Sequence, residues 1–169
     1  MLVAAMNPCG CGYYPDRNKC SCTEGNVRQH LKKISRPLLD RMDITVEVPK
    51  VKLEELENKG TSESSGEIRS RVELARRIQK ERFGRMDCSY NSRMTAEQIA
   101  RYCPMDKEAR RQLEQAYEEL DLSARGYHRL IRVARTIADL EGSDEIKGSH
   151  MLEALLYRSL DATHWRRGL

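Results

Sequence analysis

From about residue 66 onward the apolar positions recur at three- and four-residue steps, which is the period of an amphipathic helix. The pattern predicts five helices. The first, about 66–83, carries Ile68, Val72, Ala75 and Ile78 as its stripe. The second, about 95–103, opens on Thr95 with Gln98 three residues on. That is the spacing of a capping box, in which the two residues exchange side-chain and backbone hydrogen bonds. The third, about 105–120, turns Ala109, Leu113, Ala116 and Leu120 inward. The fourth starts after Ser123 and ends near Gly142, with Tyr127, Leu130, Ile131, Ala134, Ile137 and Ala138 on one face. The fifth, about 149–160, carries Met151, Leu152, Ala154, Leu155 and Leu156.

The first part of the chain has a different pattern. Leu2–Met6 is a short continuous apolar run ending at Asn7-Pro8, which suits a strand of a parallel sheet covered on both faces. Residues 24–34 are weakly helical, and Pro37–Met42 reads as a short helical turn with Pro near its start. Asp43–Val48 alternates as a strand does, and Pro49 ends it. Nothing later supplies a full sheet, so the expectation is a C-terminal piece of a longer protein. Glu57–Gly66 is a polar linker. The organisation is thus a sheet-bearing remnant over 1–56, a linker over 57–66 and a four- to five-helix bundle over 67–169, mainly α in class.

Composition changes this picture little. The chain has 169 residues, 33% charged and 39% hydrophobic, as a helical protein with a modest core would have. Its formal charge of +4 tolerates a nucleic-acid partner without arguing for one. No apolar run approaches the roughly 20 residues needed to cross a bilayer. Met1–Met6 lacks the features of a signal peptide. The expected compartment is the cytoplasm, with no membrane partner.

Candidate chemistry is concentrated in a few places. Cys9-Gly10-Cys11 and Cys20-Ser21-Cys22 form a C-x-C, eight residues, C-x-C array. Four thiolates this close can close a tetrahedral site of the kind zinc favours. The alternative is reduced thiols in a loop. Cys88 and Cys103 are isolated and read as packing residues. On the fourth helix, Arg125, Arg129 and Arg132 lie within roughly 60° of each other, opposite the apolar face. They form either a solvated basic face or a ridge that offers charge to a phosphate. Asn7 either meets a ligand at the end of a parallel strand or simply terminates it. Arg41, after Leu38-Leu39-Asp40, either anchors a structural salt bridge or stands out rigidly at a subunit surface.

Four motifs taken together decide among these readings: Asn7-Pro8-Cys9-Gly10-Cys11-Gly12-Tyr13, Ile34–Ile44, Leu122-Ser123-Ala124-Arg125-Gly126-Tyr127-His128-Arg129, and Arg132–Leu140. In order and over nearly the whole chain, they resemble the C-terminal part of magnesium-chelatase-like AAA+ ATPases, in the competence-protein-M branch. The resemblance implies that Asn7 is sensor 1, which orients the attacking water. It implies that Arg41 is the arginine finger reaching a neighbouring subunit's nucleotide, and that Arg125 is sensor 2 on a helical lid. Residues 1–56 then end an α/β P-loop ATPase core, and 67–169 are the lid. A parent of this kind is an ATPase using ATP and Mg2+, assembled as a hexameric ring and working on DNA as a branch-migration helicase. The cysteine array belongs to this branch, and Cys9, Cys11, Cys20 and Cys22 are the candidate zinc ligands. Arg36 stands where Gly is common.

There is no G-x-x-x-x-G-K-[ST] phosphate loop in these residues, nor an apolar run ending in Asp-Glu to hold magnesium. These residues alone are expected to turn over no ATP. Two rival readings remain. One is the motor subunit of a magnesium chelatase, acting with a porphyrin-metallating complex. The other is a zinc-plus-helix adaptor with no enzymatic parent.

Overall fold

A short polar side chain stands in front of most helices of this protein, and those caps fix where each begins. The computed structural model describes residues 1–39, 41–51, 63–84 and 90–158. Asp40, linker residues 57–62 and Cys88 lie outside them. The chain divides into two units, one beginning at Met1 and running to Met42, the other spanning Asp43–Leu160.

In the first unit, α1 (Glu24–Leu31) begins after Thr23, whose hydroxyl accepts from the Asn26 N–H at 3.2 Å. The turn α2 (Arg36–Leu39) follows. Leu2–Met6 forms no ladder, and Leu2 and Val3 are exposed. The expected strand is missing because a parallel strand needs partners, and the described residues supply none.

In the second unit, α3 (Ser65–Phe83) is capped by a box between Ser64 and Glu67. A 3₁₀ turn (Asn91–Arg93) leads to α4 (Ala96–Tyr102), capped by the expected Thr95–Gln98 box. Next come α5 (Lys107–Glu119), α6 (Ala124–Glu141) and α7 (Gly148–Leu156). Ser123 accepts from Gly126 N–H to start α6, and Gly142, at φ +72°, ends it. The Ser143 N–H reaches back to the Ala138 carbonyl at 2.8 Å, so the left-handed residue closes the helix as only glycine does cheaply.

The core forms around α6. Leu130, Ile131, Ala134 and Ala138 are buried against Ala109 and Leu113 of α5 and Met151 and Ala154 of α7. The stripe on α3 differs from the expected one. Ala75, Gln79 and Phe83 are buried, whereas Ile68 and Val72 are exposed. Only the C-terminal half of that helix meets the core. Asp43–Val48 also forms no strand. It has no regular structure and is held by the Thr45 N–H donating to the Tyr157 carbonyl at 2.8 Å.

One carboxylate organises two helix starts. Asp106 Oδ1 accepts from the Ala109 N–H at 2.6 Å and Oδ2 from the Gly148 N–H at 3.2 Å. Gly148 sits close against α5. A Cβ there would lie 2.6 Å from Glu108 Cγ and 3.2 Å from its Cβ. Gly148→Ala is therefore expected to destabilise this unit by about 1–3 kcal/mol through overpacking, measured as a lower midpoint in urea. An unchanged midpoint would show that Glu108 moves aside freely.

A four-sulfur loop, three predicted site residues and a buried ionic cluster

The cysteine loop is built from consecutive turns. The Gly12 N–H donates to the Cys9 carbonyl at 3.1 Å, and Gly12 takes φ +83°, a backbone that other residues adopt only with strain. The Asp16 N–H donates to Tyr13 O and the Cys20 N–H to Asp16 O, each at 2.8 Å. These turns bring the two cysteine pairs together. The sulfurs of Cys9, Cys11, Cys20 and Cys22 all lie within 4.8 Å of one another. Cys9–Cys11 is 3.3 Å, Cys11–Cys20 is 3.6 Å and Cys9–Cys20 is 3.8 Å. A tetrahedral zinc with Zn–S bonds of about 2.3 Å requires S···S separations of about 3.8 Å. The donor set and its spacing therefore fit zinc. The backbone N–H of Tyr13, then the Cys9 side chain, pull the Cys11 thiol down to about 6. Desolvation lifts Cys20 to about 11. Cys9 is lowered too and Cys22 raised, so negative charge is favoured on the first cysteine pair, and a bound cation would share it among four sulfurs.

The other predicted residues take simpler positions. Asn7 is exposed, its carbonyl accepts from His30 Nε2 at 3.0 Å, and its amide packs over Gly12. It stands beside the cysteine loop, with no sheet edge formed among the described residues. Arg41 is exposed, and its Nη1 donates to the Pro37 carbonyl at 2.8 Å. Arg125, in the first turn of α6, is exposed and makes no ion pair among the described residues. The open groove near that end of α6, about 330 Å³, is lined by Glu114, Tyr117, Glu118, Ala124, Tyr127 and His128. Its two carboxylates repel phosphate.

The basic ridge expected on α6 is corrected. Arg129 is buried, with its Nε 3.0 Å from Asp43 Oδ1. Arg132 Nη2 donates to the Met94 carbonyl at 2.5 Å. The loops that cover this face use two of the three guanidinium groups, and only Arg125 stays out in solvent.

Sequence reasoning missed a buried cluster in the second unit. Asp139, wholly buried, accepts from Arg82 Nη1 at 2.8 Å, Asn91 Nδ2 at 2.7 Å and Arg135 Nε at 3.0 Å. Arg135 also donates through Nη1 to the Asp144 carbonyl at 2.8 Å, pinning the loop after α6. Burial alone would lower Arg82, but the hydrogen bond and charge of Asp139 outweigh it and raise the guanidinium above its usual range. One signal was visible: Arg135 and Asp139 are four apart beside the apolar stripe, where charge is out of place unless paired. Removing one partner of a buried pair typically costs about 3–5 kcal/mol, so Asp139→Ala is expected to lower the thermal midpoint of this unit on the order of 10–30 °C. Arg125→Ala, on the same helix but in solvent, is expected to shift it by no more than a few degrees. Circular dichroism melts of both compare them directly, and equal shifts would contradict the assignment of Asp139 as the anchor.

Comparison with known families accounts for both units. Residues 62–158 match the family described as magnesium chelatase, subunit ChlI C-terminal, and residues 1–56 match magnesium chelatase, subunit ChlI. The chain belongs to the magnesium chelatase subunit ChlI C-terminal family, and its helical unit is the lid-type domain of that family. Among individual proteins, competence protein ComM of Haemophilus influenzae is 39% identical over 160 residues, covering 94% of this chain and 30% of the relative. YifB of Salmonella typhimurium is 38% identical over 163 residues, covering 95% of this chain and 31% of the relative. YifB of Escherichia coli is 37% identical over 161 residues, covering 95% of this chain and 31% of the relative. The chain thus spans about a third of the length of these curated relatives. No helix among the described residues is long and apolar enough to cross a membrane.

Proposed function

We propose that this chain is the part of a cytoplasmic AAA+ ATPase motor that completes ATP hydrolysis sites built largely from other residues of a longer protein. Residues 1–56 end the ATPase core, 57–66 form the linker and 67–169 form the lid. The observation that carries the reading is the ordered match of 1–56 and 62–158 to the two magnesium chelatase families. Asn7 and Arg41 fall in the first segment and Arg125 in the second.

Asn7 acts as sensor 1 and orients the attacking water. Arg41 reaches the nucleotide held by a neighbouring subunit of a hexameric ring. There a guanidinium stabilises negative charge that develops on the phosphoryl oxygens. Arg125 acts as sensor 2, contacting the nucleotide from the lid, and its exposure and lack of an ion-pair partner among the described residues support that role. ATP and Mg2+ are held by the phosphate loop and acidic residues of the longer protein. Cys9, Cys11, Cys20 and Cys22 hold a structural zinc.

The cysteine array, together with similarity to a competence protein, favours a motor that remodels DNA by branch migration over one that serves metal insertion into a porphyrin. ATP turnover by the full-length protein carrying Arg41→Ala tests the reading. Lost turnover with nucleotide binding kept supports it. Undiminished turnover refutes the role of Arg41, whereas a full-length wild-type protein that turns over no ATP refutes the motor and favours the zinc-plus-helix adaptor.

A further inference from the structure

Charge is unevenly distributed along this chain. The first 42 residues contain seven Lys and Arg against three Asp and Glu, a net +4. The rest holds the other 23 of 30 basic residues and the other 23 of 26 acidic ones, and is neutral. All of the excess positive charge therefore lies in the segment that carries the cysteine loop. Asymmetry of this kind points to a polyanion, for which the phosphate backbone of a nucleic acid is the common example.

The loop adds aromatic rings to that charge. Tyr13 is 53% exposed. Its carbonyl is fixed by the Asp16 N–H at 2.8 Å and its own N–H by the Cys11 sulfur, so the ring is displayed from a set backbone. Next to it, the Arg17 guanidinium lies over the Tyr14 ring, 5.3 Å from its centroid. Among the described residues Arg17 pairs with Glu24 and Lys19 with Asp16, and all four side chains are substantially exposed. Such exposed pairs contribute little and yield to a stronger anion. On α1, Arg28 is exposed, and Lys32, exposed too, caps the same helix one turn later. Aromatic faces alternating with cations are the elements by which single strands are held without sequence preference, because every unpaired base has a π face.

We propose that the cysteine loop and α1 bind single-stranded nucleic acid, with a base stacked on Tyr13 and backbone phosphates on Arg17, Arg28 and Lys32. The proposal rests on the reading that the four sulfurs share a zinc and that the motor works on DNA. It gives that work a point of contact.

The test is fluorescence anisotropy of a 5′-fluorescein oligothymidylate of about 20 nucleotides with the zinc-loaded 169-residue chain and no nucleotide. The wild-type chain binds. Tyr13→Ala weakens binding roughly five- to a hundredfold, and Tyr13→Phe, which keeps the ring, restores it. Arg28→Ala with Lys32→Ala lowers the slope of log affinity against log salt by about 1.4, for two single-strand phosphate contacts. Arg69→Ala, in the neutral part of the chain, leaves affinity as it was. Zinc content measured on each variant separates a lost contact from a lost fold. The proposal is overturned if the wild-type chain does not bind. It is equally overturned if Tyr13→Ala with full zinc binds as tightly as wild type, or if Arg69→Ala weakens binding as much as removing the α1 charges. The ATPase reading is unaffected by these outcomes, since its test involves Arg41 and nucleotide.

Discussion

In the full-length protein, Arg41→Ala will lower ATP turnover by about a thousandfold to a hundred-thousandfold while nucleotide affinity stays close to wild type. The magnitude is that of a guanidinium placed against charge that exists only in the transition state. The structure gives Arg41 the properties such a residue needs. Its backbone is fixed, with its N–H donating to the Leu38 carbonyl at 2.9 Å and the next N–H, from Met42, to Leu39 at 2.9 Å. Its side chain is exposed and uses a donor on the Pro37 carbonyl. A guanidinium carries five N–H donors, so most of them remain for phosphate oxygens. Arg41→Lys should rescue little, because an ammonium offers a point charge instead of a planar fork.

The same reasoning yields a sharper test of action in trans. Asn7→Ala and Arg41→Ala should each abolish turnover alone. If Asn7 serves its own subunit's nucleotide and Arg41 its neighbour's, mixed rings regain interfaces in which both residues are intact. Random one-to-one mixing restores about a quarter of such interfaces in a cyclic ring. Turnover that stays at zero on mixing, in rings shown to exchange subunits, would place Arg41 in its own subunit's site.

Local features of the fold are legible in the sequence and non-local ones are not. Thr95 with Gln98, and Ser123 with Gly142, fix helix ends through bonds to residues a few positions away, so their meaning is visible in a short window. The stripe on α6 is legible for the same reason. The buried Arg82–Asp139 contact spans 57 residues, and no periodicity connects its ends. The basic ridge misled because a helical wheel shows a residue's angle but not what lies over it. Asp43 and the Met94 carbonyl come from segments far off in sequence. The expected strands at 2–6 and 43–48 have a suitable pattern but no ladder partner among the described residues. For the candidate site, cysteine spacing announces four ligands. Only the folded loop shows that their sulfurs meet at distances zinc can use.

Removing zinc will unfold the first unit and leave the second intact. Among the described residues before Asp43, only Cys9, Val27 and Leu39 are buried hydrophobics. A core that small cannot offset the entropy of ordering its own backbone, and small domains of this kind depend on a metal or another staple. A structural zinc supplies apparent free energy on the order of 10–16 kcal/mol near neutral pH. That exceeds any other single contribution within this unit. The helical unit has its own core around α6 and owes nothing to the four sulfurs. The expected metal content is one zinc per chain, and Cys11→Ser should lower it sharply. Amide protons in the 12–31 segment should exchange slowly with zinc and rapidly with a chelator, while those of Leu130–Ala138 stay protected in both. Acidification should act as the chelator does, because protons compete for every thiolate ligand. Cys20, lifted to about 11 without metal, must give up a proton to bind and takes it back as the metal leaves. Protection of the loop and α1 that is indifferent to chelator would mean that turn hydrogen bonds alone hold the unit, and the cysteines would then be thiols that happen to lie close.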